Sequence, residues 1–208
     1  MNIYKFLLID AALVIAAIPI LFSLQGGKKK YPLLTSSNKE ILLSKTHLKL
    51  PDKEKLIELE KHAKNQGSGI EIDSLIGDWK FLSVWKKDIN EEDPVFSSLL
   101  RIFSANIEFK KNISNEDLPE LSVIASIRFG LFTIDFLGSG YLQGKQPLLK
   151  FFFKLIELKS DSKTLLSRSL EEPEEKKKSF FALIALGEDC EWLSARGQGG
   201  SVVYWLKD

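Results

Sequence analysis

The residue types that usually carry catalysis or bind metals are scarce in this chain of 208 residues. It contains one cysteine, Cys190, and two histidines, His47 and His62. One cysteine cannot form an intrachain disulfide, a CxxC redox pair or a zinc ribbon. Acidic residues flank Cys190 on both sides, an environment that disfavours a reactive thiolate. His62 falls on the charged face of a predicted helix, where we expect no chemical role.

Sequence motifs of the common catalytic families are also absent. There is no HExxH, GxSxG, P-loop or GxGxxG pattern. The glycine-rich string at residues 196–200 lies between two predicted strands with no helix after it, so we interpret it as a hairpin turn rather than a phosphate-binding loop. We therefore expect a protein that is not an enzyme and holds no metal or cofactor.

The charge balance bears on the class of partner. Lys and Arg total 29 against 28 Asp and Glu, a formal net charge of +1, whereas proteins that bind nucleic acid usually carry a basic excess. Nucleic acid is thus not an expected partner. The hydrophobic fraction of 44% is that of a folded globular protein.

Aromatic residues give the strongest compositional signal. Twelve of the 14 phenylalanines lie between Phe81 and Phe181. In the run at 148–156, alternation predicts Leu149, Phe151, Phe153 and Leu155 on one face of a strand, opposite Lys150, Phe152 and Lys154. Such rings either fill a barrel core or line a cavity for a quinone, carotenoid or lipid, and the sequence leaves both interpretations open. The candidate ligand contacts are Phe81, Phe132, Phe136, Phe151, Phe153, Trp79 and Arg196.

The elements that would position these rings are mostly strands. Nine short strand-like runs recur after Gly69, which predicts a mainly β fold, an antiparallel sandwich or barrel. Asp93-Pro94 starts a predicted helix whose apolar residues Phe96, Leu99, Leu100 and Phe103 share one face, and we place it as a lid over a barrel mouth. A second helix is predicted over 52–65, and the charged run 171–178 is interpreted as a hairpin tip.

The N-terminal residues predict a membrane anchor. Residues 3–24 are apolar over a length of roughly 33 Å as a helix, enough to cross a bilayer core, although they include Asp10 and Pro19. A signal peptide and a buried helix are the alternatives. Three lysines at 28–30 follow the segment, which places the C-terminal part on the cytoplasmic or stromal side. We expect an anchor at 1–27, a linker and helical segment at 28–69 and a barrel at 70–208.

Two short motifs carry a resemblance to a known family. Gly77-Asp-Trp79 is similar to the G-x-W signature of lipocalin-type barrels, and Arg196-Gly197 precedes a short final strand. With the helix of 52–65 and the closing stretch 186–206, this order resembles the plastid lipid-associated proteins, or fibrillins, over about residues 39–208. Ser83 and Leu193 depart from that family's pattern.

The resemblance implies a lipocalin-like barrel at thylakoids or lipid globules that binds lipophilic molecules without catalysis. It also implies that the Arg196 side chain stacks over the Trp79 indole and closes one barrel end. We therefore expect a membrane-anchored protein, at a thylakoid or plasma membrane, that holds, carries or senses a lipophilic small molecule. The alternative is an assembly or structural subunit of a photosynthetic membrane complex, with a filled barrel that binds protein.

Overall fold

The computed structural model describes residues 50–87, 91–112, 121–161 and 163–208. This part of the chain is mainly β, with three short α-helices and one turn of 3₁₀ helix at Glu175–Lys177. The helices are α1 (Lys53–Gln66), α2 (Ile72–Leu75) and α3 (Pro94–Ile102). The strands are β1 (Gly77–Trp85), β2 (Asn106–Lys111), β3 (Leu121–Phe129), β4 (Phe132–Gln143), β5 (Leu148–Ser160), β6 (Lys163–Ser169), β7 (Ser179–Leu186), β8 (Trp192–Gly197) and β9 (Val202–Lys207).

Eight of these strands form a closed antiparallel barrel. The hydrogen-bonded order runs β1-β2-β3-β4-β5-β7-β8-β9, and β9 pairs with β1 to close the circle. Closure leaves the barrel strands without a free edge between β9 and β1. The predicted antiparallel barrel and the nine predicted strands are confirmed.

The register defines two ends of the barrel. Arg196 pairs with Val202, which pairs with Trp85, at the end that we call upper. Gly77 pairs with Phe109 at the lower end. The turns between β3 and β4 and between β8 and β9 lie at the upper end, as does α3.

The lower end is sealed by the segment that precedes β1. Ile70 and Leu75 are buried against Trp79 and Phe109, and the Trp79 indole Nε1–H donates to the Leu75 carbonyl at 2.7 Å. The hydrogen bond satisfies the indole N–H without water, so a large ring can be fully buried there.

Helix α1 packs on the outside of the barrel wall. Asp52 caps it by accepting a hydrogen bond from the Lys55 N–H at 2.8 Å, and its Leu56 is buried against Leu82 and Tyr204. The predicted helix start is therefore confirmed. His62 is exposed on the opposite side of the helix.

Strand β5 pairs with two different strands along the same edge. Its lower half, Leu148–Phe151, pairs with β7, and its upper half, Leu155–Ser160, pairs with β6. Both partners run antiparallel to β5, so β6 and β7 follow one another in the same direction. The prediction of a hairpin tip at 171–178 is therefore wrong, because a hairpin would require β6 and β7 to pair with each other.

The charged run between β6 and β7 folds back onto the outer face of β4 and β5. Glu175 accepts hydrogen bonds from the Lys150 ammonium at 2.8 Å and from the Tyr141 hydroxyl. These donors, with Lys178, lower the pKa of the Glu175 carboxyl to about 2. The Lys178 ammonium lies 4.7 Å from the Phe152 ring centroid.

A bulge in β5 changes the face on which its side chains lie. Leu137 pairs with Leu155 and the adjacent Gly138 pairs with Phe153, so Lys154 is an extra residue. Leu155 shares the outer face with Leu137 and not the inner face with Phe153, which corrects the sequence prediction. A Cβ at Gly138 would lie 1.9 Å from the Phe152 carbonyl oxygen, so only glycine fits opposite the bulge.

Helix α3 begins at Pro94 as the sequence predicts. Within the described ranges, no helix has both the length and the apolar character needed to cross a bilayer. The predicted anchor at 1–27 lies outside the described residues, as does His47.

Candidate apolar binding site

A small apolar cavity lies inside the upper half of the barrel. Its volume is about 60 Å³. It is lined by Phe81, Leu100, Ala105, Asn106, Ile107, Ala125, Phe151, Phe153, Phe181, Val203 and Trp205. Leu100 comes from α3, so this helix forms part of the cavity roof, in the position predicted for a lid.

Polar contacts fix α3 against β1. Asp93 caps the helix by accepting from the Phe96 N–H at 3.0 Å. The buried Ser97 hydroxyl oxygen accepts from the Val84 N–H at 2.9 Å, and the Arg101 guanidinium donates to the Leu82 carbonyl at 2.6 Å. The side chains thus satisfy β1 backbone groups at the irregular end of that strand.

Aromatic contacts occupy most of the interior around the cavity. Phe151 stacks on Phe181 with ring centroids 5.2 Å apart, and Phe181 meets Trp205 edge-on, also at 5.2 Å. Phe136 and Phe153 are 5.5 Å apart. Small-molecule sites generally have volumes of roughly 300–1,000 Å³, so the remaining space is far too small for a quinone or a carotenoid.

The structure brings together three of the seven candidate ligand contacts. Phe81, Phe151 and Phe153 line the cavity, and Phe136 is buried next to Phe153. Phe132 lies beyond the barrel at the turn between β3 and β4, where it stacks on Phe129 and is 38% exposed.

The predicted contact between Arg196 and Trp79 is wrong. Arg196 is level with Trp85 in the strand register, six residues along β1 from Trp79, a separation of about 20 Å. The cation over the Trp79 ring is instead the Lys207 ammonium, 5.1 Å from the ring centroid. Lys207 is the β9 residue that pairs with Trp79.

Arg196 lies on the outer wall of the barrel. Its Nε and Nη2 donate to the two oxygens of Glu60 at 2.5 and 2.6 Å, and Nη1 donates to the Lys87 carbonyl at 2.8 Å. Burial raises the pKa of the Glu60 carboxyl, but hydrogen bonds from Arg196 and Lys64 outweigh that effect and hold it below its usual value of 4.5. The pair joins α1 to the upper rim.

Sequence reasoning missed the other cavity residues. Phe181, Val203 and Trp205 belong to β7 and β9, and their alternation in the sequence was visible, but the choice of inner face depends on register. Leu100 belongs to the predicted lid helix, but the sequence does not predict that its side chain lines the cavity.

Among the described residues, those that line the cavity include no side chain suited to acid–base or metal chemistry. Asn106 is its one polar residue, and the described part of the chain contains no cluster of three or more His, Cys, Asp or Glu side chains able to hold a metal. The cavity can therefore accept an apolar group but not activate it.

A second, larger cleft of about 560 Å³ lies at the lower end, between residues 69–73 and the turn that joins β4 to β5. It is open to solvent, and Lys111 and Asp73 on its wall pair with each other at 2.9 Å. Both side chains are largely exposed, so this ion pair is a weak surface contact.

Comparison of the chain with protein-family models, with curated proteins and with solved structures gives no match in any of the three.

Proposed function

We propose that the protein is a non-enzymatic binding module, attached to a membrane by residues 3–24, that works through the outer surface of a filled, lipocalin-like barrel. Its partner is a membrane protein complex, and the sequence resemblance makes a photosynthetic membrane the candidate location, with the barrel on the cytoplasmic or stromal side. Asp10 would then pair with a charged residue of a partner helix.

One observation carries the choice of a filled barrel. The interior cavity measures about 60 Å³, because Phe151, Phe181 and Trp205 pack against one another across the barrel. A carrier needs a site several times larger, whereas a structural module needs only a rigid wall.

The test uses the full-length chain purified from its own membranes in mild detergent. Native mass spectrometry and organic extraction are applied to the same sample. We expect membrane subunits that co-purify in fixed ratio and no apolar molecule in stoichiometric amount. A stoichiometric apolar molecule released only on unfolding would overturn the filled-barrel proposal.

A second candidate function is the carriage of a lipophilic molecule, favoured by the almost wholly apolar lining and by the position of α3 over the cavity. A ligand would then have to displace Leu100 to enter. Phe153→Asp would remove bound ligand while Phe132→Asp, outside the cavity, would retain it. Equal ligand retention in both variants would exclude carriage in this cavity.

A further inference from the structure

A row of apolar side chains, one from each of four strands, extends from the barrel interior onto a sheet that projects beyond the upper rim. This projecting sheet consists of Ser126–Phe129, Phe132–Phe136, Leu155–Ser160 and Lys163–Ser169. Ile127 pairs with Ile134, Ile134 with Leu158 and Leu158 with Leu166, so the four residues share the inner face.

The outer face of the projecting sheet is polar. Lys159 pairs with Asp135 and with Glu157, both at 2.9 Å, and the Ser126 hydroxyl donates to Asp135 at 2.7 Å. The two carboxylates are thus neutralised within the sheet. Close to its tip the sheet therefore carries paired charges on the outer face, whereas the inner face is apolar apart from Lys163 and Arg168, which pair in register with Ser160 and Ile156.

The apolar side chains are exposed where the sheet ends. Leu131 is 70% exposed and Leu166 is 62% exposed. Ile102 of α3, 47% exposed, lies at the same end, since the carbonyl of the next residue accepts from the Arg128 N–H at 2.7 Å. A projecting apolar tip of this kind is costly in water and indicates contact with another phase or molecule.

Basic side chains lie at this tip and further along the same sheet, where Arg168 is level with Ile156. Arg128, Lys163 and Arg168 are exposed, and none of them has an ion-pair partner among the described residues. Asp161 is the exposed carboxylate in the turn between β5 and β6. Exposed apolar residues accompanied by an excess of cations match the interface of an anionic bilayer, where apolar groups enter the acyl region and Lys or Arg meet the headgroups.

We propose that the tip of the projecting sheet inserts into the surface of a membrane that contains anionic lipid. Leu131 and Phe132 enter the bilayer, and Arg128, Lys163 and Arg168 contact lipid headgroups. This is a second membrane contact, separate from the predicted anchor at 3–24 and independent of it. It would hold the upper end of the barrel against the bilayer.

The test measures the depth of the tip directly. Two variants are made in the full-length Cys190→Ser protein, each with one new cysteine. Leu131→Cys lies at the tip, and Lys145→Cys lies in the exposed turn at the opposite end. Each cysteine is labelled with an environment-sensitive fluorophore. Each is reconstituted into phosphatidylcholine vesicles with or without phosphatidylglycerol, with brominated acyl chains as quencher. We expect blue-shifted, bromolipid-quenched emission at 131 in the anionic vesicles and water-like emission at 145.

Charge variants separate insertion from the anchor. Each cation held near an anionic surface strengthens attachment by about fivefold. The double variant Lys163→Gln with Arg168→Gln should therefore lower the ratio of inserted to non-inserted tip by about 25-fold. Quenching at 131 no greater than at 145 in anionic vesicles overturns the proposal, whether or not the protein floats with the vesicles. Flotation itself reports on the anchor. Insertion unaffected by phosphatidylglycerol or by the two substitutions overturns the role of the basic residues.

Discussion

The two ends of the barrel are closed in different ways. At the lower end, Trp79 is fully buried, its indole N–H is satisfied by Leu75, and Ile70 completes the seal. At the upper end, α3 covers a residual cavity and the sheet of β3–β6 continues past the rim with Leu131 and Phe132 exposed. The lower end therefore resembles the interior of an ordinary domain, and the upper end has the features of a contact surface.

The two ends also differ in the regularity of strand β5, although both are rich in aromatic and aliphatic residues. The bulge opposite Gly138 lies between the part of β5 that pairs with β7 and the part that pairs with β6. No comparable bulge occurs between Leu148 and Phe151, where β5 pairs regularly with β7.

The largest expected effect tests the sealed lower end. Trp79→Ala should lower the free energy of unfolding by about 3–5 kcal/mol, because it removes a fully buried ring and leaves a cavity. Phe132→Ala at the upper tip should change it by less than about 0.5 kcal/mol. Urea unfolding followed by circular dichroism measures both. Similar losses in the two variants would contradict the contrast between the ends.

Gly138→Ala tests whether the bulge in β5 requires a glycine opposite it. The added methyl would meet the Phe152 carbonyl, so we expect a loss of about 3 kcal/mol. Gly130→Ala is the matched control, because Gly130 has a φ of +60° but open space around it, and strain alone costs about 1 kcal/mol. Thermal unfolding of the two variants gives the comparison, and a loss at 138 no greater than at 130 would show that the bulge can relax.

The tie between α1 and the upper rim should depend on pH. Glu60→Gln should lower the free energy of unfolding by about 2 kcal/mol at neutral pH. This loss is smaller than that expected for a fully buried ion pair, because Lys64, the second partner of Glu60, is largely exposed. Because the folded pKa of Glu60 lies below the usual value of 4.5, the stabilisation is present above that pH and is lost as the pH falls through the folded pKa.

Melting temperatures of the wild type and of Glu60→Gln, measured from pH 7 to pH 3, check this sign. The gap between the two proteins should close at the acid end. A gap that widens on acidification would mean that Glu60 gains no stability from Arg196.

The smallest expected effect concerns the helix over the cavity. Ser97→Ala removes the acceptor for the Val84 N–H and should cost about 1 kcal/mol. Because α3 packs only on the upper end, the loss should appear as faster amide exchange in 94–105 with little change near Trp79. Uniformly faster exchange across the barrel would argue that the two ends unfold together.

The sequence was sufficient for the strands and for the starts of α1 and α3, because alternation and capping residues are local signals. The site was less accessible to prediction. Alternation places Leu155 on the inner face because it carries no trace of an extra residue, and the bulge is visible only when β4 is placed opposite β5.

The misplaced contact of Arg196 has a similar cause. Which residue of β9 or β8 comes level with Trp79 depends on the stagger of strands that are distant in the chain, and Lys207 holds that position. The charge of Glu60 on α1 was visible in the sequence, but its pairing with a residue 136 positions away was not.

The pairing of β1 with β9 also has a kinetic consequence. Lys80 and Asp208, which form an ion pair beside this seam, are 128 residues apart in the chain. Closing so long a loop lowers the chain entropy before any stabilising contact forms, and folds dominated by distant pairings therefore form slowly. During synthesis, one edge of β1 remains unpaired until β9 has left the ribosome. Newly made chains therefore pass through an interval in which that edge is open to association with other nascent chains or to protection by a chaperone.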